Sequence, residues 1–458
     1  MKVIVCGAGQ VGSNIARHLS EENNDVTVID HDAERIRRVG DTLDVQAMLG
    51  FASHPDILEQ AGASAADMLV AVTASDEINM VACQVCHSLF NVPTKIARIR
   101  HQSYLQPVWA DLFSRENLPI DVIISPEVEV ARAVARRLEV PGALDMIGFA
   151  DDTVRLIAVR LAEDCPVAHT PLRQLTELFP DLNITVVYII RADRGICPTS
   201  LDQMLPGDEV YFIADAAHVD RAMDVFGQRV REARRLIILG GGNIGFLLAR
   251  QLETLGSHVD LKLIEADRTR AEYVAEHLNR TTVINGDALD RDILEEANIA
   301  SVETVIAVSN NDEVNILASV MAKRYGSGRS IVLINTGTYA PIMAPLGIDA
   351  AVSPREITVS SILQHVRRGR IRSVYTLREG DAEVIEAEAM ETSPLVGKPL
   401  RDINLPNGIL VGAVVRGREV LIPRGSTVVK EGDRVIMFAV HGMVKKVEKM
   451  FSVALGFF

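Results

Sequence analysis

The chain has 458 residues, a net charge of −14 and 24% charged residues, with a pI near 5.3. Such an acidic surface repels phosphate backbones and argues against nucleic acid as the main partner. No apolar run reaches the roughly 18 residues that a membrane span needs, since the longest candidate, Leu236 to Ala249, is broken by four glycines and Asn243.

Hydrophobic residues make up 48% of the chain but aromatics only 4%. The core must therefore be built from Val, Ile, Leu and Ala, which suits parallel sheets covered by helices. Met1-Lys2-Val3-Ile4-Val5 runs straight into glycines and reads as a strand and turn, not as a signal peptide. Five cysteines give no disulfide framework and point to a reducing compartment. Cys83-x-x-Cys86 lies in a predicted helix and reads as two small core residues rather than a redox or metal pair. Local basic patches could still exist, as in Arg234-Arg235 or Arg367-Arg368.

In chain order, Val3–Val5, Val26–Ile29, Met68–Val72 and Ile96–Ile99 read as buried strands. Helical stretches such as Val11–Leu19 and Glu77–Phe90 lie between them. Alternation of this kind predicts an α/β, doubly wound parallel sheet. Further on, Arg155–Leu161, Thr185–Arg191 and Glu209–Ile213 are strand-like and joined by Pro, Gly and Asp turns. They predict a small α+β module.

The chain then repeats itself. VIVCGAGQVGSNIARHL returns as LIILGGGNIGFLLARQL, PDILEQAG as RDILEEAN, VTASDEIN as VSNNDEVN, IDVIISPEV as IDAAVSPRE, and CPVAHTPLRQL as SPLVGKPLRDI. The period far exceeds the 20–50 residues of solenoids, so whole domains are duplicated. The predicted order is A1-B1-A2-B2: two Rossmann-like sheets, each followed by a small α+β module. The arginine-rich stretch Arg229 to Arg235 is the natural joint.

Gly7-Ala8-Gly9-Gln10-Val11-Gly12 is a G-x-G-x-x-G directly after a strand and opening a helix. The first glycine allows the tight turn, the second lets the backbone approach a pyrophosphate, and the third lets helix and strand pack closely. The helix N-terminus offers its N–H groups to the phosphates. Asp30 closes the second strand about 20 residues on, where a carboxylate accepts ribose hydroxyls. The second copy has Gly240, Gly241, Gly242, Asn243, Ile244 and Gly245, followed by Glu265. A carboxylate repels a 2′-phosphate, which favours NAD or ATP/ADP over NADP.

Ligands of such sheets lie beyond the carboxyl ends of the strands. Thr73 and Ala74 occupy that place in the first copy, and Ser309 and Asn310 in the second. Asp76 then starts a helix, as an N-cap or as a ligand contact. Asn79 and Asn315 serve either an interface or the site. Arg98 and Arg100 follow on the next strand. One of them could reach a phosphate with a bidentate pair, or both could be ordinary surface or interface arginines. The second copy has Leu333 and Asn335 there. Its site is left to bind more weakly, to bind something different, or to bind nothing. Gly50-Phe51 stands where the second copy has Gly286-Asp287.

No HExxH, GxSxG or paired CxxC motif appears, and His31, His54 and His101 are isolated. Two dinucleotide fingerprints without visible chemistry point to regulation rather than catalysis. The alternatives are an NAD-dependent oxidoreductase with an unrecognised substrate and a scaffold whose glycine turns are relics.

The A-B-A-B order, GAGQVG with VID, SDEIN and the small modules resemble the TrkA-type regulatory subunits of bacterial Trk potassium uptake systems, built from tandem RCK (or KTN) domains. The resemblance spans essentially the whole chain. It implies RCK-N domains at 1–120 and 232–350, crossover helices at 121–140 and 351–371, and RCK-C domains at 141–228 and 372–453. NAD(H) and adenine nucleotides are the implied ligands. Gly7 to Val11, Asp30, Thr73-Ala74 and Arg98 would line the first site, and Gly240 to Ile244, Glu265 and Ser309-Asn310 the second. The implied partner is an integral-membrane, potassium-translocating subunit at the cytoplasmic face. A homotetrameric ring is the implied assembly.

Overall fold

Lys2–Cys6 forms strand β1, which buries every side chain but its first, as a central parallel strand covered on both faces must. The computed structural model describes residues 1–179, 182–228, 233–255, 259–366, 371–377 and 380–451. The Arg229–Glu232 part of the joint and the pair Arg367-Arg368 lie outside them.

Beside β1 lie β2 (Asp25–Asp30), β3 (Gln46–Leu49), β4 (Met68–Ala71), β5 (Thr94–Arg98) and β6 (Val122–Ile124). The sheet order is β3-β2-β1-β4-β5-β6 and all pairings are parallel. This is the Rossmann order, which reverses between β1 and β4 and opens a crevice at the carboxyl ends there. Crossovers run through helices Gln10–Glu21, Ala33–Thr42 and Asp76–Ser88.

Next comes an antiparallel sheet of β7 (Asp145–Phe149), β8 (Val154–Arg160), β9 (Ile184–Arg191), β10 (Arg194–Ile196) and β11 (Glu209–Asp215), in the order β10-β9-β11-β8-β7. The second half repeats both sheets. Its parallel sheet holds β12 (Arg235–Leu239), β13 (Asp260–Glu265), β14 (Thr282–Asn285), β15 (Thr304–Ala307), β16 (Arg329–Leu333) and β17 (Ala350–Val352), ordered β14-β13-β12-β15-β16-β17. Its antiparallel sheet holds β18 (Ile371–Leu377), β19 (Ala382–Glu388), β20 (Ile409–Arg416), β21 (Glu419–Leu421) and β22 (Arg434–Val440), ordered β18-β19-β22-β20-β21. Read from the other edge, this matches the first module strand for strand.

The chain divides into two compact units, and the division does not follow the repeat. One unit is Met1–Glu129 together with the helix residues from Arg355 onward. Helix Pro354–Val366 inserts Val359, Ile362, Leu363 and Val366 into the core formed by Val3, Val5, Ile15, Leu19, Val28 and Val70. Burial of each such side chain is worth about 1.5–3 kcal/mol. The other unit takes the first half's helix, Pro126–Glu139, from Val130 on. Its Val130, Ala131, Val134 and Ala135 are buried. The second half's helix thus completes the core of the first half's parallel sheet.

Within that second unit the two antiparallel sheets pack against each other. Phe149, Leu156, Val187, Tyr188 and Ile213 share a core with Val384, Ala413, Ile436 and Phe438. The rings of Tyr188 and Phe438 lie 5.2 Å apart. Gly412 makes this close approach possible, because a Cβ there would fall 2.1 Å from Ile213 Cδ1. At the edge of the interface, buried Arg137 donates to Asp145 at 2.6 Å, and the Tyr375 hydroxyl donates to the other oxygen of Asp145 at 2.6 Å.

Candidate functional site: two glycine turns

The three glycines of each turn do separate physical work. Gly7 and Gly240 hold φ of +108° and +106°, a region that disfavours any side chain. A Cβ on Gly12 would sit 1.8 Å from the Gly7 carbonyl oxygen, and one on Gly245 would sit 1.9 Å from that of Gly240. These third glycines let the helix start close against the turn. The second glycines differ: a Cβ on Gly9 or Gly242 would meet nothing within 4 Å. The space above them is open to a ligand.

Helix Gln10–Glu21 begins behind Gly9 with no side chain capping it. Its first N–H groups have no intrahelical partner, and the helix dipole adds positive potential there. Gln10 and Val11 in the first copy, and Asn243 and Ile244 in the second, lie at this start. The arrangement suits a phosphate.

The acidic residues hold the turns in place. Ala8 N–H donates to Asp30 Oδ2 at 2.6 Å, and Asp32 N–H donates to Oδ1 at 2.9 Å. The second copy repeats both bonds: Gly241 N–H donates to Glu265 Oε2 at 2.6 Å and Asp267 N–H to Oε1 at 2.9 Å. Two carboxylate oxygens offer about four acceptor sites, so each carboxylate keeps capacity for ribose hydroxyls. Asp30 is buried at 6% exposure.

Across the crevice, Thr73 and Ala74 follow β4. Asn79, fully buried, accepts from Thr73 N–H at 2.9 Å and donates to the Arg98 carbonyl at 2.9 Å. Asn315 makes the same bonds to Ser309, at 2.8 Å, and to Leu333, at 3.1 Å. These asparagines staple the ends of neighbouring strands together. Asp76 is not the N-cap of its helix; Ser75 is, through its bond from Ile78 N–H. The Asp76 carboxylate instead accepts from Arg100 N–H and His101 N–H at 2.9 and 2.8 Å. Asp312 does the same for Asn335 and Thr336. A capping residue one position earlier left each aspartate to fix the loop after the next strand.

Arg98 and Arg100 part company. Arg100 Nε donates to Glu127 at 2.8 Å. Arg98 turns back to the end of β4, where Nη2 donates to the Thr73 carbonyl at 2.6 Å. Its Nε is buried without a hydrogen-bond partner. Burial, with Arg100 nearby, lowers the Arg98 pKa from its ordinary value. A buried guanidinium with an unused donor fits an anionic ligand.

Leu333, which stands at the Arg98 position of the second copy, is a buried apolar side chain. An arginine nevertheless reaches that turn from elsewhere. Arg270 Nε donates to the Gly241 carbonyl at 2.7 Å, and its guanidinium lies 5.0 Å from the Tyr273 ring centre and 5.7 Å from that of Phe246. Motif reading missed it, although Arg35 and Arg270 stand five residues after Asp30 and Glu265. In the first copy Arg35 approaches Asp30 at 3.9 Å. Also missed was a row of rings beside Asp30: His31 stacks on Phe51 at 5.5 Å, and Phe51 meets His54 at 5.2 Å.

Cys83 and Cys86 lie in the core of the first sheet with Cys6. Burial pushes the Cys86 thiol up to about 12 and the other two well above their ordinary value. Among the described residues no group of three or more His, Cys, Asp or Glu is placed to hold a metal ion. No helix among them is long and apolar enough to cross a membrane.

With this geometry in hand, comparison with known proteins is specific. The TrkA-N domain family matches residues 3–126 and 236–354, and the TrkA-C domain family matches 156–227 and 384–452. The Trk system potassium uptake protein TrkA of Azorhizobium caulinodans is 53% identical over 458 residues, covering all of both chains. Its namesake from Halomonas elongata is 44% identical over all of both chains, and that from Vibrio alginolyticus 43% over 99% of each. In fold, the chain is similar to the GsuK channel (TM-score 0.60, 17% identity, covering 98% of this chain and 78% of that one) and to the GsuK RCK domain (TM-score 0.58, 17% identity, covering 98% and 94%). Tandem parallel sheets with matched small modules, together with full-length identity to these relatives, show that the chain belongs to the TrkA family of Trk-system potassium uptake proteins.

Proposed function

We propose that this chain is the nucleotide-binding regulatory subunit of a potassium uptake system and that it performs no catalysis itself. The observation that carries the reading is the twofold recurrence of one geometry: an open second glycine, an uncapped helix start behind the first turn, and a carboxylate bonded at 2.6 Å to the turn. The relatives' name supports the potassium link. A channel of similar fold is described as bound to NAD, which supports NAD(H) as ligand, with ATP/ADP as a second class.

In the first cleft the N–H groups around Gly7 to Gly12 would hold phosphates and Asp30 the ribose. Thr73, Ala74 and Arg98 would face the far end. In the second, Gly240 to Gly245, Glu265, Ser309 and Asn310 take these places, with Arg270 added. The proposed division keeps RCK-N domains at 1–120 and 232–350, linking helices at 121–140 and 351–371, and RCK-C domains at 141–228 and 372–453. The partner is an integral-membrane subunit met at the cytoplasmic face, and the assembly is a homotetramer.

Regulation requires the ligand to prefer one conformation of the ring. Driving a switch from 1:99 to 99:1 takes roughly 10⁴-fold preference, about 5.5 kcal/mol, which several sites share. Potassium flux through the partner in liposomes tests this. Flux should change with NADH, NAD, ATP or ADP at saturation, and unchanged flux with all four refutes regulation. A substrate-dependent loss of NADH absorbance would favour the oxidoreductase instead.

A further inference from the structure

β2 and β3 run parallel with Asp30 opposite Leu49, so the residues after each strand emerge side by side. His31 follows Asp30. Phe51 follows Gly50, whose N–H donates to the Asp30 carbonyl at 2.9 Å. The His31 and Phe51 rings are stacked 13° from parallel, and His54 closes the row. Phe51 keeps 50% of its surface in water, and the His31 side chain keeps 62%. The buried core of this sheet passes through Ala52 and Leu58 but does not include Phe51. An exposed large apolar ring at the rim of a polar site is the informative kind of exposure.

With phosphates at the turn after β1 and the ribose at Asp30 after β2, a base that continues the same line comes next to the turn after β3, because the sheet order is β3-β2-β1. There the base meets a ring face rather than a hydrogen-bonding edge. Stacking on such a face suits a flat purine. At the same two places the second copy has Ala266 and Asp287, and the Asp287 carboxylate accepts from Leu289 N–H at 2.9 Å. It offers no ring.

We propose that Phe51, backed by His31, is the platform on which adenine stacks in the first cleft, and that its replacement by Asp287 makes the second cleft the weaker adenine site. This rests on the nucleotide reading above. The full-length chain provides the test, because Trp109 is its one tryptophan. Phe51→Trp combined with Trp109→Phe puts the only indole on the platform. ATP should quench its fluorescence, and inorganic triphosphate should not. By calorimetry Phe51→Ala should weaken the tighter ATP event about tenfold. Phe51→Trp should restore it, and triphosphate binding should be the same in all variants. Wild-type ATP affinity in Phe51→Ala, or an unquenched indole while calorimetry records bound ATP, overturns the platform and leaves the nucleotide reading standing. A wild-type chain that binds no adenine nucleotide overturns both.

Discussion

The carboxylate of Asp30 accepts the backbone N–H of Ala8 at 2.6 Å, tying the end of the second strand to the middle of the glycine turn. One side chain therefore shapes the loop and faces the ribose position. Asp30→Ala should cost both roles. Hydrogen bonds to a charged group are worth about 1.5–3 kcal/mol each, so the melting temperature should fall by several degrees, roughly 2–4 °C per kcal/mol. Nucleotide affinity should drop at least about tenfold. Calorimetry and thermal melts measure the two effects separately, and unchanged affinity would remove the ribose assignment.

Gly9 and Gly12 should respond oppositely to alanine. At Gly9 the new methyl meets only open space, so stability should hold within about 0.5 kcal/mol while phosphate approach is blocked. At Gly12 it strikes the Gly7 carbonyl, and helix and turn must separate at a cost of about 1–3 kcal/mol. Urea melts and nucleotide titration of the two variants form the check. A stable Gly12→Ala chain would contradict the packing role.

Asn79→Ala should leave the N–H of Thr73 and the carbonyl of Arg98 without their side-chain partner. A buried backbone group left unpaired costs about 1–3 kcal/mol. Asn315→Ala should cost the same, because its bonds are equivalent. Chemical denaturation of both variants would show it, and a neutral result at either position would mean that water replaces the staple.

Much of this was legible in residues close together along the chain. The glycine turns and the acids at Asp30 and Glu265 carry local spacing that follows from strand, turn and helix. Short edge strands were harder. β3 (QAML) and β6 (VII) lack a clear period, and β10 is three residues long. Arg270 escaped because its reach to the Gly241 carbonyl depends on a helix packing beside the turn. Phe51 was noted only as a mismatch between copies, since stacking is a property of space. The placement of helix Pro354–Val366 on the first sheet had no local signal, because its apolar residues could have been covered by either sheet.

Ile362 offers the sharpest test of that placement. Ile362→Ala should destabilise the first parallel sheet by about 2–5 kcal/mol, although Val3 and Val5 lie far upstream. Amide exchange should quicken at Val3–Val5 and Val26–Ile29, because local protection follows local stability. Protection unchanged in those strands would place the helix elsewhere.

The borrowed helix also sets a timetable for biosynthesis. The first sheet is made early, yet the side chains that complete its core, ending at Val366, emerge from the ribosome only when about four-fifths of the 458 residues have been made. Translation proceeds at about 5–20 residues per second, so Val5 and its neighbours wait for tens of seconds with their core only partly covered, by Ile15, Leu19, Ile36 and Val39. A nascent chain stalled between the halves should therefore be a client for chaperones, and premature termination before the second helix should yield no native first domain at all.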